Sequence, residues 1–290
     1  MTFKGTHTAL VTPFRDGAFD VPAFRDLIEA QIAGGVEGIV PVGTTGESPT
    51  LTHEEHAEVI KVAVETARGR CLVIAGTGSN STAEAIDLTI EAEKLGADAA
   101  LLVAPYYNKP SQEGVYRHYK AIAGAVKIPL VLYSIPGRCG IEIAVETVAR
   151  LAKDCPNITC IKEAGGSVER VSALRQVVPA AFEIVSGDDS LTLPFLSAGA
   201  VGVISVASNY LPREVSDFVR AWLDGRLSDA AAAHHRLYPL FKDLFIEPNP
   251  VPVKFALALR GGMTPEVRLP LCEMTAANQE RLRKTLASYP

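Results

Sequence analysis

The chain has 290 residues, 48% of them hydrophobic, enough to bury a sizeable core. A net charge of -5 and a pI near 5.7, with Lys and Arg scattered along the chain, argue against nucleic acid or anionic membrane as the main partner. Five cysteines (Cys71, Cys139, Cys155, Cys160 and Cys272) form no CxxC and no His-flanked cluster, so neither a disulfide framework nor a zinc site is expected.

The opening stretch, MTFKGTHTALVTPF, has no long apolar region and no cleavage signal. No run of about 18 apolar residues occurs, and a cytoplasmic protein without membrane spans is expected. Eight short apolar runs then recur in chain order: HTALVTP from residue 7, EGIVPVG from 37, CLVIAGTG from 71, DAALLVAPYY from 98, PLVLYSIPG from 129, ITCIKEAGG from 158, AFEIVSGDD from 181 and AVGVISVAS from 200. Each is too short for a helix and apolar on both faces, as buried parallel strands are.

Amphipathic segments fill the gaps. Residues 52–68 open with Thr52 and Glu55 in capping-box spacing, and residues 81–95 with Ser81 and Glu84. Gly69 and Gly96 stand as C-terminal stops. Eight alternating strand–helix units predict an α/β fold, a (β/α)8 TIM barrel, over residues 1–225. A doubly wound open sheet is disfavoured because no GxGxxG or P-loop follows any strand. Beyond about residue 210 only helices are predicted, at 211–225, 228–246, 250–260 and 275–288. Residues 226–290 are therefore expected to form a C-terminal helical appendage packed on the barrel.

In such a barrel the C-terminal strand ends carry the chemistry. The second strand offers Thr44, Thr45 and Glu47 there, the fourth Tyr106 and Tyr107, and the fifth Tyr133 and Arg138. The sixth offers Lys162, the seventh SGDD, and the eighth Ile204 and Ser205. Lysine is rarely buried fully. An amine enclosed by barrel side chains loses hydration, its pKa falls, and the neutral form attacks carbonyl carbon. The alternative is a lysine that snorkels to the rim or pairs with Glu163. Tyr133 reads as a proton shuttle for imine formation or as a core aromatic with one bonded hydroxyl. GTTG offers backbone N–H groups and two hydroxyls to a carboxylate, although Gly/Thr turns are common. Arg138 follows Pro136-Gly137 and suits a second carboxylate, or is a solvated loop arginine.

Together ALVTPF, GTTGES, AGTGSNSTAEAI, PYYNKPSQEG, IKEA, SGDD, GVISV and EPNPVPVK span nearly the whole chain. With them the sequence resembles the dihydrodipicolinate synthase branch of the N-acetylneuraminate lyase superfamily. The resemblance implies a lyase of the diaminopimelate route to lysine, in which pyruvate condenses with L-aspartate 4-semialdehyde through a Schiff base, without metal or organic cofactor. It implies that Lys162 forms the Schiff base and that Tyr133, Thr44 and Tyr107 relay protons, Tyr107 reaching into a neighbouring subunit's site. It implies that Thr45 holds the pyruvate carboxylate and Arg138 that of the aldehyde, that the Ile204 carbonyl faces the lysine, and that Gly187 shapes the pocket. A homotetramer is usual in such a family, and dimers occur.

The resemblance also implies a site for L-lysine as an inhibitor at Ser48, His53, His56, Asn80, Glu84 and Tyr106, since family members inhibited by lysine carry His, Asn, Glu and Tyr at matching positions. The bland readings there are surface histidines and a Glu84 engaged as the capping partner of Ser81. Three positions depart from the family's common pattern: Ser134 stands for Asn, Cys139 for Thr, and Pro49 for Ala. Two other functions stay open: a related Schiff-base aldolase cleaving a sialic acid or 2-keto-3-deoxy sugar acid, and a non-catalytic ligand sensor. Arg138 with the Thr44-Thr45 pair speaks against the first, and the full relay against the second.

Overall fold

The computed structural model describes residues 1–289. Eight parallel strands close into a barrel: β1 (Gly5–Ala9), β2 (Gly38–Val40), β3 (Leu72–Gly76), β4 (Ala99–Val103), β5 (Leu130–Ser134), β6 (Ile158–Glu163), β7 (Glu183–Ser186) and β8 (Gly202–Ser205). Sequence neighbours pair around the ring, and β8 closes it against β1. Helices α1 (Val21–Gly34), α2 (His53–Ala67), α3 (Thr82–Lys94), α4 (Gln112–Ala125), α5 (Val145–Asp154), α6 (Val168–Val177), α7 (Thr192–Ser197) and α8 (Pro212–Leu223) each follow one strand. All eight apolar runs are barrel strands, as expected of segments buried on both faces. Phe3, Ala9, Val40, Ile74, Leu101, Val131, Cys160 and Val185 fill the interior. Two larger apolar layers lie between barrel and helices.

The loop after β1 holds an antiparallel hairpin, Phe14–Arg15 with Ala18–Phe19. Asp16 (φ 54°) and Gly17 (φ 81°) turn it, the Asp-Gly chemistry of a two-residue turn with both φ positive. Helix α2 carries its full capping box, with Glu55 N–H donating to Thr52 Oγ1 at 3.2 Å and Thr52 N–H to Glu55 Oε2 at 3.0 Å. Helix α3 does not. Ser81 Oγ accepts from Glu84 N–H, but the Glu84 carboxylate turns away to Ser79 and His53. The reciprocal half of that expected box is absent, since Ser81 N–H donates to Ser79 Oγ at 3.0 Å instead.

Three further helices follow α8: α9 (Leu227–Asp243), α10 (Val251–Arg260) and α11 (Ala276–Leu286). Leu237, Leu240 and Phe241 of α9 share one apolar layer with Phe218 and Val219 of α8 and Leu282 and Leu286 of α11. Asp243 ties α9 to α11, accepting from Arg281 at 2.6 Å and Thr285 at 2.5 Å. Among the described residues no helix is long and apolar enough to cross a membrane.

The loop after β2 is anchored to these last helices by a buried ion pair. Lys254 Nζ of α10 lies 2.5 Å from Glu47 Oε1, and both side chains are almost fully buried. Lys254 also donates to the Glu266 carbonyl at 2.6 Å, and Arg268 N–H donates to Glu47 Oε2 at 2.9 Å. Glu47 sits at φ 56°, a strained conformation for a residue with a Cβ, held by these bonds. Removing one partner of a buried pair strands the other charge, so Glu47→Gln should lower the unfolding free energy by about 3–5 kcal/mol. Glu47→Leu combined with Lys254→Met should recover most of that loss. Urea denaturation measures both, and a Glu47→Gln midpoint equal to wild type would contradict the anchoring role.

Candidate active site

Strands β5 and β6 pair in register, Tyr133 beside Lys162 and Ser134 beside Glu163. The period-two alternation of β6 turns Cys160 and Lys162 into the barrel and Ile161 and Glu163 out toward the helices. Glu163 there accepts from Arg170 Nε of α6 at 2.8 Å and from Gly165 N–H at 2.7 Å. The carboxylate next in sequence to Lys162 is thus committed elsewhere. Lys162 is only 6% exposed, so it does not snorkel to the rim. Its Nζ lies 4.2 Å from the centroid of the Tyr133 ring.

Burial pushes the Lys162 pKa down to about 7, against an upward pull from Asp189 and with a further downward push from the Arg138 charge. Burial lifts the Tyr133 phenol to about 12, while the Arg138 charge and the Thr44 side chain pull it back. The phenol therefore stays protonated beside an amine that is neutral in part at neutral pH. Gly187 makes room for this amine. A Cβ there would stand 3.0 Å from Lys162 Cε and 2.7 Å from Ala164 Cβ. Ile204, the penultimate residue of β8, is 2% exposed among the barrel's interior side chains.

Thr44 and Thr45 ride in the turn after β2. Its bonds run from Gly46 N–H and Ser48 N–H to the Gly43 carbonyl and from Glu47 N–H to the Thr44 carbonyl. None of them uses the N–H of Thr44 or Thr45. Thr45 Oγ1 accepts from Asn249 Nδ2 at 3.0 Å. Arg138 projects from the one-turn helix Pro136–Cys139 at the mouth, and its Nη2 donates to the Asn249 carbonyl at 3.5 Å. Tyr107 stands apart from this cluster. It is 88% exposed at φ 72°, a conformation unusual for an aromatic residue.

A cavity of about 400 Å³ is lined by Thr44, Tyr133 and Arg138 and runs on to Ser48, His53, His56, Glu84 and Tyr106. Neither Lys162, Asn80 nor Tyr107 lines it. Asn80 instead donates to the Tyr106 carbonyl at 3.1 Å, fixing the loop. His56 is buried, bonded to the Gly76 carbonyl at 2.8 Å, and burial lowers its pKa. Glu84, bonded to Ser79 and, at 3.1 Å, to His53, is held below the usual carboxylate range chiefly by the Ser79 hydroxyl. Five of the six residues expected to bind lysine thus line one end of the cavity, His56 as a buried member rather than a surface one, and Asn80 reaches it only through its bond to the Tyr106 carbonyl.

Sequence reasoning missed two residues. Asp189 is buried, accepts from Ser205 Oγ at 2.5 Å and from the N–H groups of Val206 and Ala207, and has its pKa pushed up to about 6 by burial. The paired acids of SGDD were its only signal. Asn249 is the other, and EPNPVPVK carried it without marking its partners.

Known proteins resemble this chain along its whole length. The pattern of the dihydrodipicolinate synthetase family matches residues 2–289. The chain is 51% identical over 288 residues to the 4-hydroxy-tetrahydrodipicolinate synthase of Nitratidesulfovibrio vulgaris, covering 99% of each chain. Its structure matches that of the 4-hydroxy-tetrahydrodipicolinate synthase from Methylacidiphilum fumariolicum SolV with TM-score 0.98 and 56% identity, over 99% of this chain and 96% of that one. The dihydrodipicolinate synthase of Cyanidioschyzon merolae, solved with lysine bound, gives TM-score 0.95 and 43% identity, over 99% of this chain and 98% of that one. The chain belongs to the dihydrodipicolinate synthetase family.

Proposed function

We propose that this chain catalyses the 4-hydroxy-tetrahydrodipicolinate synthase reaction, the condensation of pyruvate with L-aspartate 4-semialdehyde. One observation carries it: an amine buried in the barrel without an ion-pair partner, stacked on Tyr133, with the Arg138 charge near enough to lower its pKa further. Neutral Lys162 adds to the pyruvate ketone. The carbinolamine oxygen leaves as water, taking protons through Tyr133 and Thr44. Loss of a methyl proton from the resulting imine gives the enamine, whose carbon attacks the aldehyde. The substrate's own amine then adds to the imine carbon, closes the ring and releases Lys162. One water is lost overall. The imine itself is the electron sink, so no step calls on a metal. Thr45 holds the pyruvate carboxylate, Arg138 that of the aldehyde, and the exposed Tyr107 completes the relay of a neighbouring subunit in a homotetramer.

Borohydride with pyruvate should trap an adduct on Lys162, read by mass spectrometry. An adduct on Lys254 instead would overturn the assignment. Trapping should accelerate as pH rises through about 7, because the Lys162 pKa is depressed and the neutral amine is its unprotonated form. Lys162→Ala should lose several orders of magnitude in rate.

Arg138→Ala should weaken aldehyde use by about 2–4 kcal/mol, since a carboxylate loses its bidentate partner. Pyruvate trapping should survive. Equal loss of trapping in the folded variant would remove Arg138 from this role.

L-Lysine binding at the Ser48, His53, His56, Asn80, Glu84 and Tyr106 end of the cavity should inhibit, with a coupling of about 1–3 kcal/mol. The charged Glu84 carboxylate supplies the partner for an ammonium. Glu84→Gln keeps an acceptor for Ser79 and removes the charge, and it should blunt inhibition in a lysine titration. Equal inhibition of both proteins, or none of either, would show that this end is not regulatory.

A further inference from the structure

One asparagine touches both groups that we assign to the substrate carboxylates. Asn249 precedes α10 and is 6% exposed. Its Nδ2 donates to Thr45 Oγ1 at 3.0 Å, joining the last third of the chain to the turn after β2. Its backbone carbonyl accepts from Arg138 Nη2 at 3.5 Å. Its Oδ1 is buried and has no hydrogen-bond partner among the described residues. A buried amide oxygen left without a donor is costly, and an asparagine kept only for packing would give way to an apolar side chain of similar size. The side chain's one satisfied polar contact is therefore its link to Thr45.

That contact settles what the Thr45 hydroxyl can do. A hydroxyl has one hydrogen to give and two sites at which to accept. Asn249 Nδ2 fills an accepting site, so the hydroxyl's own hydrogen is left for another group. A carboxylate is an acceptor only and matches a free donor there. An aspartate at 249 would reverse the arrangement, because a carboxylate draws the Thr45 hydrogen to itself.

We propose that Asn249 is a positioning residue that presents the Thr45 hydroxyl as a donor to the carboxylate of the 2-oxo acid, while its backbone carbonyl seats Arg138. This rests on the reading of Thr45 given above. The two halves separate experimentally, since side-chain substitution removes the bond to Thr45 and leaves the carbonyl for Arg138. The concentration of pyruvate that half-saturates borohydride trapping should rise about tenfold in Asn249→Ala, the size of one well-aligned hydrogen bond to a charged group. The limiting trapping rate and the KM for L-aspartate 4-semialdehyde should stay within about twofold, which a general loosening of the fold would not allow. Thr45→Val should show the same rise, and the double variant should be no worse than Thr45→Val alone, as residues acting through one contact are not additive. Asn249→Asp, close to isosteric, should raise the half-saturating pyruvate as well and covers the case that Asn249→Ala does not fold. Wild-type half-saturation in Thr45→Val would overturn the role of Thr45. Wild-type half-saturation in a folded Asn249→Ala or Asn249→Asp, beside an impaired Thr45→Val, would overturn the role of Asn249 alone, as would penalties that multiply in the double variant.

Discussion

An amine taken out of water with no carboxylate beside it is the constraint on which the rest of this structure depends. Among the described residues two lysines are buried, Lys162 and Lys254. Burial lowers the pKa of both. Lys254 is given Glu47 at 2.5 Å and a backbone carbonyl, and its charge is compensated. Lys162 is given a tyrosine face, a glycine that clears space for its stem, and a buried aspartate acting at a distance. The two environments separate a charge-compensated lysine from an uncompensated one, the lysine proposed above as the nucleophile, on the same physical scale. A partner at Lys162 would raise its pKa and abolish the reactivity that burial confers.

The barrel makes such an unpaired site tolerable. Parallel register places Tyr133 and Lys162 side by side without any local sequence signal, and the pleat sends the neighbouring Glu163 outward to Arg170. That separation of adjacent residues to opposite faces keeps the nearest carboxylate away from the amine. The turn carrying Thr44 and Thr45 has no strand of its own to hold it. Its stability comes from the far end of the chain, through Glu47 to Lys254 and Arg268 and through Thr45 to Asn249. The C-terminal helices therefore act on the site through polar contacts that they make with one loop.

Much of this was legible from sequence, for physical reasons. Strands buried on both faces read as unbroken apolar runs, so all eight stood out. Helix ends were legible where capping is local, as at Thr52 and Glu55. The hairpin at Phe14–Phe19 went unseen because its strands are two residues each, too short for any periodicity, although Asp16-Gly17 marked its turn. Glu84 was misread because spacing alone allows a capping box, while Ser79 and His53 compete for the carboxylate only once the loops are folded. Asn249 and Asp189 were beyond reach for a related reason. The partners of Asn249 lie 204 and 111 positions away, and those of Asp189 about 17, with no motif linking them.

The misreading of Glu84 bears on how an effector would reach the chemistry. A glutamate spent on its own helix N-terminus would present little charge to the cavity. Here one oxygen is held by Ser79 and the other by His53, which orients the carboxylate at the cavity wall and leaves it lone pairs to accept an ammonium. The same continuous space is bounded further along by Thr44 and Tyr133. A cation entering beside Glu84 would therefore share one cavity with Thr44 and Tyr133 of the relay proposed for imine formation. Movement of Ser48 on binding would alter the turn that carries Thr44 directly, since Ser48 N–H is bonded to the Gly43 carbonyl there. Under the proposed inhibition, coupling between the two ends would run through this one loop, and no rearrangement of the barrel would be called for.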